Sequence, residues 1–285
     1  MKFINLVALS WAISGLFSSP LMAQQQTCLT QLEDQALMMK SKREGLFREP
    51  LPGSHSTFSY NIEQAFSDYL TAAYLQISSE NPRASLPCPV YTDTYQQLVA
   101  QGARPANATV ADLISPFELK HANSRKAVLL IHGLTDSPFT YHDLAQVYYQ
   151  QGYTVRTILL PGHGTAPAAL RDIDADDWQK ASVYAIERTL KDFDQVILGG
   201  YSTGAALVID YLTQGPVDNK ITAAMLFSPA SEPHNKNGWL AKWVDAIPFV
   251  NWIDKDADLD FAKYESFPFS AASASHEAMS RISLD

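Results

Sequence analysis

Residues 195–215 constrain the fold more than any other stretch of the chain. Residues 196–198 form a short apolar run typical of a strand buried on both faces, and residues 205–212 have the composition of a buried helix. Ser202 stands between them, with Gly200 and Gly204 two residues to either side. Such glycines let a strand and a helix approach closely, while the sharp turn exposes the serine hydroxyl at a helix start. The pattern predicts a nucleophile elbow, although the pentapeptide alone is also compatible with an ordinary loop.

The first 23 residues have the features of a secretory leader. Met1 and Lys2 precede an almost wholly apolar run over residues 3–17, and Leu21-Met22-Ala23 resembles a small-residue cleavage site. An uncleaved anchor is the alternative, but the run is short for a bilayer span. We therefore expect cleavage after Ala23, export to the periplasm or the medium, and no stable membrane span afterwards.

Net charge and cysteine content restrict the binding partners and the redox state that we expect for this chain. The net charge of −9 argues against nucleic acid or an anionic membrane surface as a partner, because both attract basic patches. The only cysteines are Cys28 and Cys88. In an oxidising compartment they are expected to form one disulfide, and two buried free thiols are the alternative.

Apolar periodicity divides the mature chain. Residues 24–115 read as a helical N-terminal extension, with helices over 32–39, 62–77 and 91–101. From residue 116 to 230 strands alternate with helices. Strands are predicted over 127–131, 153–160, 196–198 and 221–227, and helices over 139–151, beginning at Ser137-Pro138, and 176–191. This alternation predicts an α/β fold with a doubly wound, mostly parallel sheet, and it places Ser202 at the carboxyl end of a strand.

His132, Gly133 and Leu134 follow the strand predicted over 127–131. A glycine there lets the chain turn so that the Leu134 N–H points into the site, where it would form an oxyanion hole with the Thr203 N–H. His132 is a candidate base, but we favour a structural histidine that supports the loop.

Three motifs in order carry a family resemblance: HGLTDSP at 132–138, LPGHG at 160–164 and GYSTG at 200–204. Together they resemble the α/β-hydrolase superfamily, in its branch of monoacylglycerol lipases, carboxylesterases and serine aminopeptidases. The resemblance implies a carboxylic-ester hydrolase with Ser202 as nucleophile, Leu134 and Thr203 amides as oxyanion hole, and no metal or organic cofactor. A peptidase or acyltransferase of the same fold and a non-catalytic binding chain stay open, as does the oligomeric state.

The resemblance weakens after residue 230. Residues 231–285 suit a cap and a C-terminal tail, whose many aromatic side chains either line an acyl pocket or pack the cap. His234 and His276 both lack the context of a catalytic base, and the acids Asp245, Asp254, Asp256, Asp258 and Asp260 are unassigned. We therefore expect the front part of a longer hydrolase, without the strands that carry the catalytic acid and base. Such a chain would expose an apolar sheet edge and be poorly stable or weakly active.

Overall fold

The computed structural model describes residues 28, 58, 60–231, 252–253 and 260–282. The predicted leader, the predicted helix 32–39 and most of the predicted cap lie outside these residues. So do His234 and four of the five unassigned acids, Asp245, Asp254, Asp256 and Asp258.

A five-stranded sheet organises the described chain. Its strands are β1 (Glu118–Leu119), β2 (Lys126–Ile131), β3 (Thr154–Ile158), β4 (Gln195–Tyr201) and β5 (Ile221–Phe227), in the order β1-β3-β2-β4-β5. β1 pairs antiparallel with β3, and the other neighbours are parallel. The mostly parallel sheet predicted from the sequence is confirmed. Strand β1 was not predicted, because a strand of two residues leaves no recognisable pattern in the sequence.

Helices flank the sheet and a short strand pair follows it. The helices are α1 (Phe66–Glu80), α2 (Asp93–Ala100), α3 (Val110–Ile114), α4 (His142–Gln150), α5 (Ala175–Asp192), α6 (Thr203–Thr213) and α7 (Phe269–Arg281). Two 3₁₀ helices span Pro138–Tyr141 and Pro167–Asp172, and β6 (Trp252–Ile253) pairs antiparallel with β7 (Phe267–Pro268).

Both faces of the sheet are buried at its centre, as expected of a doubly wound fold. On β2, Leu129 and Ile131 face a core shared with α1, α5, α6 and α7. Val128 and Leu130 face the opposite core, which α2 and α4 help to build. The continuous apolar run of β2 is therefore explained by alternation between two cores.

Several predicted element bounds need correction. The helix predicted over 62–77 begins at Phe66, because residues 61–64 form a turn in which the Asn61 side chain accepts from the Glu63 N–H at 2.9 Å. The helix predicted over 139–151 is a 3₁₀ turn followed by α4, since Pro138 starts the turn. Ser137 precedes it without a side-chain capping bond. The C-terminal tail over residues 270–285, predicted as a loop or short helix, is helical in α7 as far as Arg281.

Cys28 and Cys88 are joined in a disulfide, as the sequence predicted. Both are buried in a cluster with Ile77 and Val110. The bond therefore fastens residue 28 to the layer formed by α1 and α3.

Strand β5 is the edge of the sheet within the described residues. Its sequence, ITAAMLF, carries no charge, yet most of its side chains are exposed, with Leu226 at 39% and Phe227 at 42%. The exposed apolar edge expected from the sequence is thus present in the described part of the chain.

Candidate active site

Ser202 lies between β4 and α6 with a backbone that few residues adopt. Its φ of 52° and ψ of −116° fall outside the allowed regions for a residue with a Cβ, at a cost of about 1–3 kcal/mol. Three backbone hydrogen bonds hold it there: the Ser202 N–H donates to Phe227 O at 2.9 Å, and Ser202 O accepts from Ala206 N and Ala230 N at 3.1 Å each. The turn therefore fixes the serine at the start of α6.

Gly200 and Gly204 are required by close backbone approaches around this turn. A Cβ added to Gly200 would lie 2.5 Å from the Ala205 nitrogen, and one added to Gly204 would lie 2.5 Å from His132 O. Because the obstructing atoms are backbone atoms, a larger side chain cannot be accommodated by a rotamer change. The two glycines bring α6 against the ends of β4 and β2.

The loop after β2 passes directly over Ser202. A Cβ added to Gly133 would lie 3.1 Å from the Ser202 Cβ. Leu134 follows half-buried, while Thr203 is buried at the first position of α6. Within the described residues, neither the Leu134 N–H nor the Thr203 N–H donates a hydrogen bond to another group. The structure brings the predicted nucleophile and its predicted oxyanion donors to one place.

His132 is fully committed to holding this loop. Its Nε2 accepts from the Leu160 N–H at 3.0 Å, so its Nδ1 carries the proton and donates to Gly133 O at 2.9 Å. Burial, reinforced by the nearby His163, lowers the pKa of His132 well below its usual range. With both ring nitrogens used, His132 agrees with the structural role that the sequence predicted.

His163 lies beside it, with the two rings 4.9 Å apart. Its Nε2 accepts from the Thr135 N–H at 3.1 Å, and its Nδ1–H donates to Pro161 O at 3.0 Å. Burial lowers the pKa of His163 to about 4. The sequence did not predict this role for His163, because nothing near residue 163 in the chain indicates a hydrogen bond to residue 135.

Residues 260–268 cross over the loop from a distant part of the chain; we call them the strap. The Tyr264 N–H donates to Thr135 O at 2.8 Å, and its hydroxyl donates to Gly162 O at 3.2 Å and accepts from Thr165 N at 2.9 Å. The strap also faces Asp136. Burial raises the pKa of Asp136 to about 6, opposed by Lys263 and reinforced by Asp260.

Helix α7 packs beside the elbow helix, where the Ser275 Oγ lies 3.3 Å from the Thr203 Oγ1. His276, the next residue, is half-buried. Among the described residues, no histidine is hydrogen-bonded to a carboxylate, and no group of three His, Cys, Asp or Glu residues is arranged to hold a metal ion. None of the helices in the described ranges combines the length and the apolar composition that a bilayer span requires.

This elbow, on this sheet, defines an α/β-hydrolase fold. Comparison with known proteins identifies the family that part of the chain resembles. Residues 122–259 match the model of the serine aminopeptidase family S33, which confirms the resemblance predicted from the three motifs.

Two relatives illustrate the match. Over 130 residues the chain is 33% identical to the thermostable monoacylglycerol lipase of Bacillus sp. (strain H-257), covering 44% of this chain and 51% of that lipase. The chain thus spans about half the length of this curated relative. A solved structure from work on the metagenome-derived lipolytic enzymes LipS and LipT has a TM-score of 0.50 and 24% identity, over 60% of this chain and 69% of that one. This second similarity supports the fold alone.

Proposed function

We propose that this chain is a serine hydrolase that cleaves carboxylic esters through an acyl-enzyme on Ser202. The observation that carries the proposal is the backbone of Ser202, held at φ 52° between β4 and α6 with Gly133 above it. Packing gives no reason to keep a serine in a disfavoured conformation beside two N–H groups that have no acceptor among the described residues. A nucleophile that must project from the turn supplies a reason.

The geometry suits acyl transfer. The Ser202 Oγ attacks the ester carbonyl carbon, and the oxygen that becomes negative accepts from the Leu134 and Thr203 N–H groups. A base takes the Oγ proton and delivers it to the leaving alcohol; water then cleaves the acyl-enzyme by the same steps. His132 and His163 are unsuited as this base because both nitrogens of each ring are engaged within the loops. His276, next to Ser275 on α7, and His234 are the candidates to test.

The proposed substrate class rests on the sequence similarity to a monoacylglycerol lipase. The Bacillus relative is a monoacylglycerol lipase, and we propose a lipid monoester of small or medium acyl length for this chain as well. The many aromatic side chains in the sequence of the predicted cap are compatible with an acyl chain.

The test is hydrolysis of 1-monoacylglycerols and p-nitrophenyl esters across a series of acyl lengths, with Ser202→Ala as the control. The expected result is ester turnover that depends on Ser202 and falls for His234→Ala or His276→Ala, whichever supplies the base. An anilide of the same acyl group should react far more slowly. Faster cleavage of the anilide would favour a peptidase, and turnover unaffected by Ser202→Ala would reject the mechanism.

Export is a second proposal, supported by the composition of residues 1–23 and by the Cys28–Cys88 disulfide. Expression of the full chain in a bacterial host should yield a periplasmic or secreted protein whose N-terminus is Gln24. A cytoplasmic product that keeps Met1 would contradict it.

A further inference from the structure

We propose that His163 is a positioning residue for the oxyanion hole, an inference that rests on the proposed function. An oxyanion hole requires the Leu134 N–H to keep one orientation. This group shares a rigid peptide plane with Gly133 O, which accepts from His132, so that bond sets the direction in which the Leu134 N–H points. Gly133 O also accepts from the Asp136 N–H at 3.2 Å, but both bonds act at the oxygen edge of the plane, which can still rock about its two Cα atoms.

The next planes restrict that motion. The plane between Leu134 and Thr135 is held where the Thr135 N–H donates to His163 Nε2 at 3.1 Å. The plane between Thr135 and Asp136 is held where Thr135 O accepts from the Tyr264 N–H at 2.8 Å. Three consecutive peptide planes are thus fixed from three different elements of the chain.

Thr135 needs this restraint because its φ is +70°. That conformation is disfavoured for a β-branched residue, so the loop would relax towards negative φ if the anchors were removed. Relaxation at Thr135 would rotate the peptide plane between Leu134 and Thr135. The adjoining plane between Gly133 and Leu134 would then shift and turn the Leu134 N–H away from Ser202.

His163 is itself rigidly supported. Its Nδ1–H donates to Pro161 O, which also accepts from the Trp178 Nε1–H at 3.0 Å. The Tyr264 ring stacks against the imidazole with centroids 6.1 Å apart and planes 12° from parallel. Burial keeps the ring neutral, so Nε2 stays available as an acceptor. A precise anchor of this kind would not be needed for a turn that only reverses the chain.

The experiment compares three substitutions. His163→Phe keeps a ring but removes the acceptor. His163→Gln restores an acceptor at the distance of Nε2. His142→Phe, at a buried histidine bonded to Thr92 on another part of the fold, controls for the loss of any buried imidazole.

Hydrogen–deuterium exchange of peptides covering 132–137 gives a readout that does not depend on activity. We expect exchange at Thr135 to rise at least tenfold in His163→Phe, to stay near the parent rate in His163→Gln, and to be unchanged in His142→Phe. Ester kinetics should then show kcat lowered by about 10- to 100-fold in His163→Phe with KM within about threefold, because a loss of oxyanion stabilisation acts on the transition state.

The possible outcomes separate this inference from the proposed function. If exchange over 132–137 is unchanged in His163→Phe, the positioning role is wrong whatever the activity. If exchange rises but kcat of an active parent is kept, His163 is structural only and the proposal is overturned. If exchange rises selectively and the parent neither hydrolyses esters nor reacts with a phosphonate, the loop anchor is supported and the proposed function fails.

Discussion

Gly204→Ala tests the close approach on which the elbow depends. The added Cβ would overlap the Ile131 carbonyl oxygen and lie 2.5 Å from His132 O, so restoring ordinary contact requires the start of α6 and the end of β2 to separate by more than about 1 Å. Overpacking of well-packed cores costs about 1–3 kcal/mol, and two immovable backbone atoms put this case at the upper end. We expect Gly204→Ala to lower the free energy of unfolding by about 3 kcal/mol.

For a domain of this size, about 3 kcal/mol corresponds to a fall in Tm of roughly 6–12 °C. The displacement also moves Ser202 relative to the Leu134 N–H, and about 1 Å of misplacement costs on the order of 100-fold in rate. The assay is thermal unfolding followed by circular dichroism, paired with the rate at which a fluorophosphonate labels the protein.

Gly215→Ala is the matched control. Gly215 lies just beyond the same helix, its φ is not in the left-handed region, and a Cβ there would meet nothing within 4 Å. This substitution should leave labelling unchanged and raise stability by up to about 1 kcal/mol, since alanine restricts the unfolded chain. If Gly204→Ala had the same Tm as Gly215→Ala and were labelled at the parent rate, the packing argument would be refuted.

Three further predictions concern stability. Because burial lowers the pKa of His163 from 6.5 to about 4, the unfolded state binds more protons between those pH values; stability should fall on acidification through that window, by about 3 kcal/mol. In urea titrations His163→Gln should flatten this dependence by about 1.4 kcal/mol per pH unit, and an unchanged slope would contradict the assignment. The Cys28–Cys88 disulfide closes a loop with a sequence separation of 60 residues, so its reduction should lower the free energy of unfolding by about 4 kcal/mol in the parent and leave Cys88→Ser unchanged. Equal urea midpoints for the parent with and without reductant would contradict this. Arg156 is buried between the Glu118 and Asp192 carboxylates, each at 2.7 Å, so Arg156→Met should cost about 3–5 kcal/mol. The double variant with Glu118→Met, in which Asp192 keeps its Arg188 partner, should cost less. Additive costs in that double-mutant cycle would mean that the two charges do not interact.

The sequence predicted the elements whose signals are local. β2, β4 and β5 are apolar runs, and the turn at Ser202 has its glycines within two residues, so their types and order could be read directly. The helix predicted over 176–191 is α5, and its start was placed one residue late because the prediction did not include the cap formed by the Asp174 and Asp177 side chains.

What the sequence did not predict depends on distant partners. β1 is two residues long and exists because Glu118 and Leu119 pair with β3, some 35 residues later. His163 acquires its role only where β2 and β3 end side by side, and Tyr264 reaches the same loop from beyond the predicted cap. The apolar run of β5 resembles that of β2, yet it lies at the edge of the described sheet, and periodicity alone does not distinguish the two environments.

Whether Ser202 is a working nucleophile is decided by covalent labelling of the purified protein with a fluorophosphonate, the modified residue being located by mass spectrometry. We expect one adduct, on Ser202, that is lost in Ser202→Ala and retained in Gly215→Ala. A folded protein that forms no adduct, or one that is labelled equally well without Ser202, would contradict it.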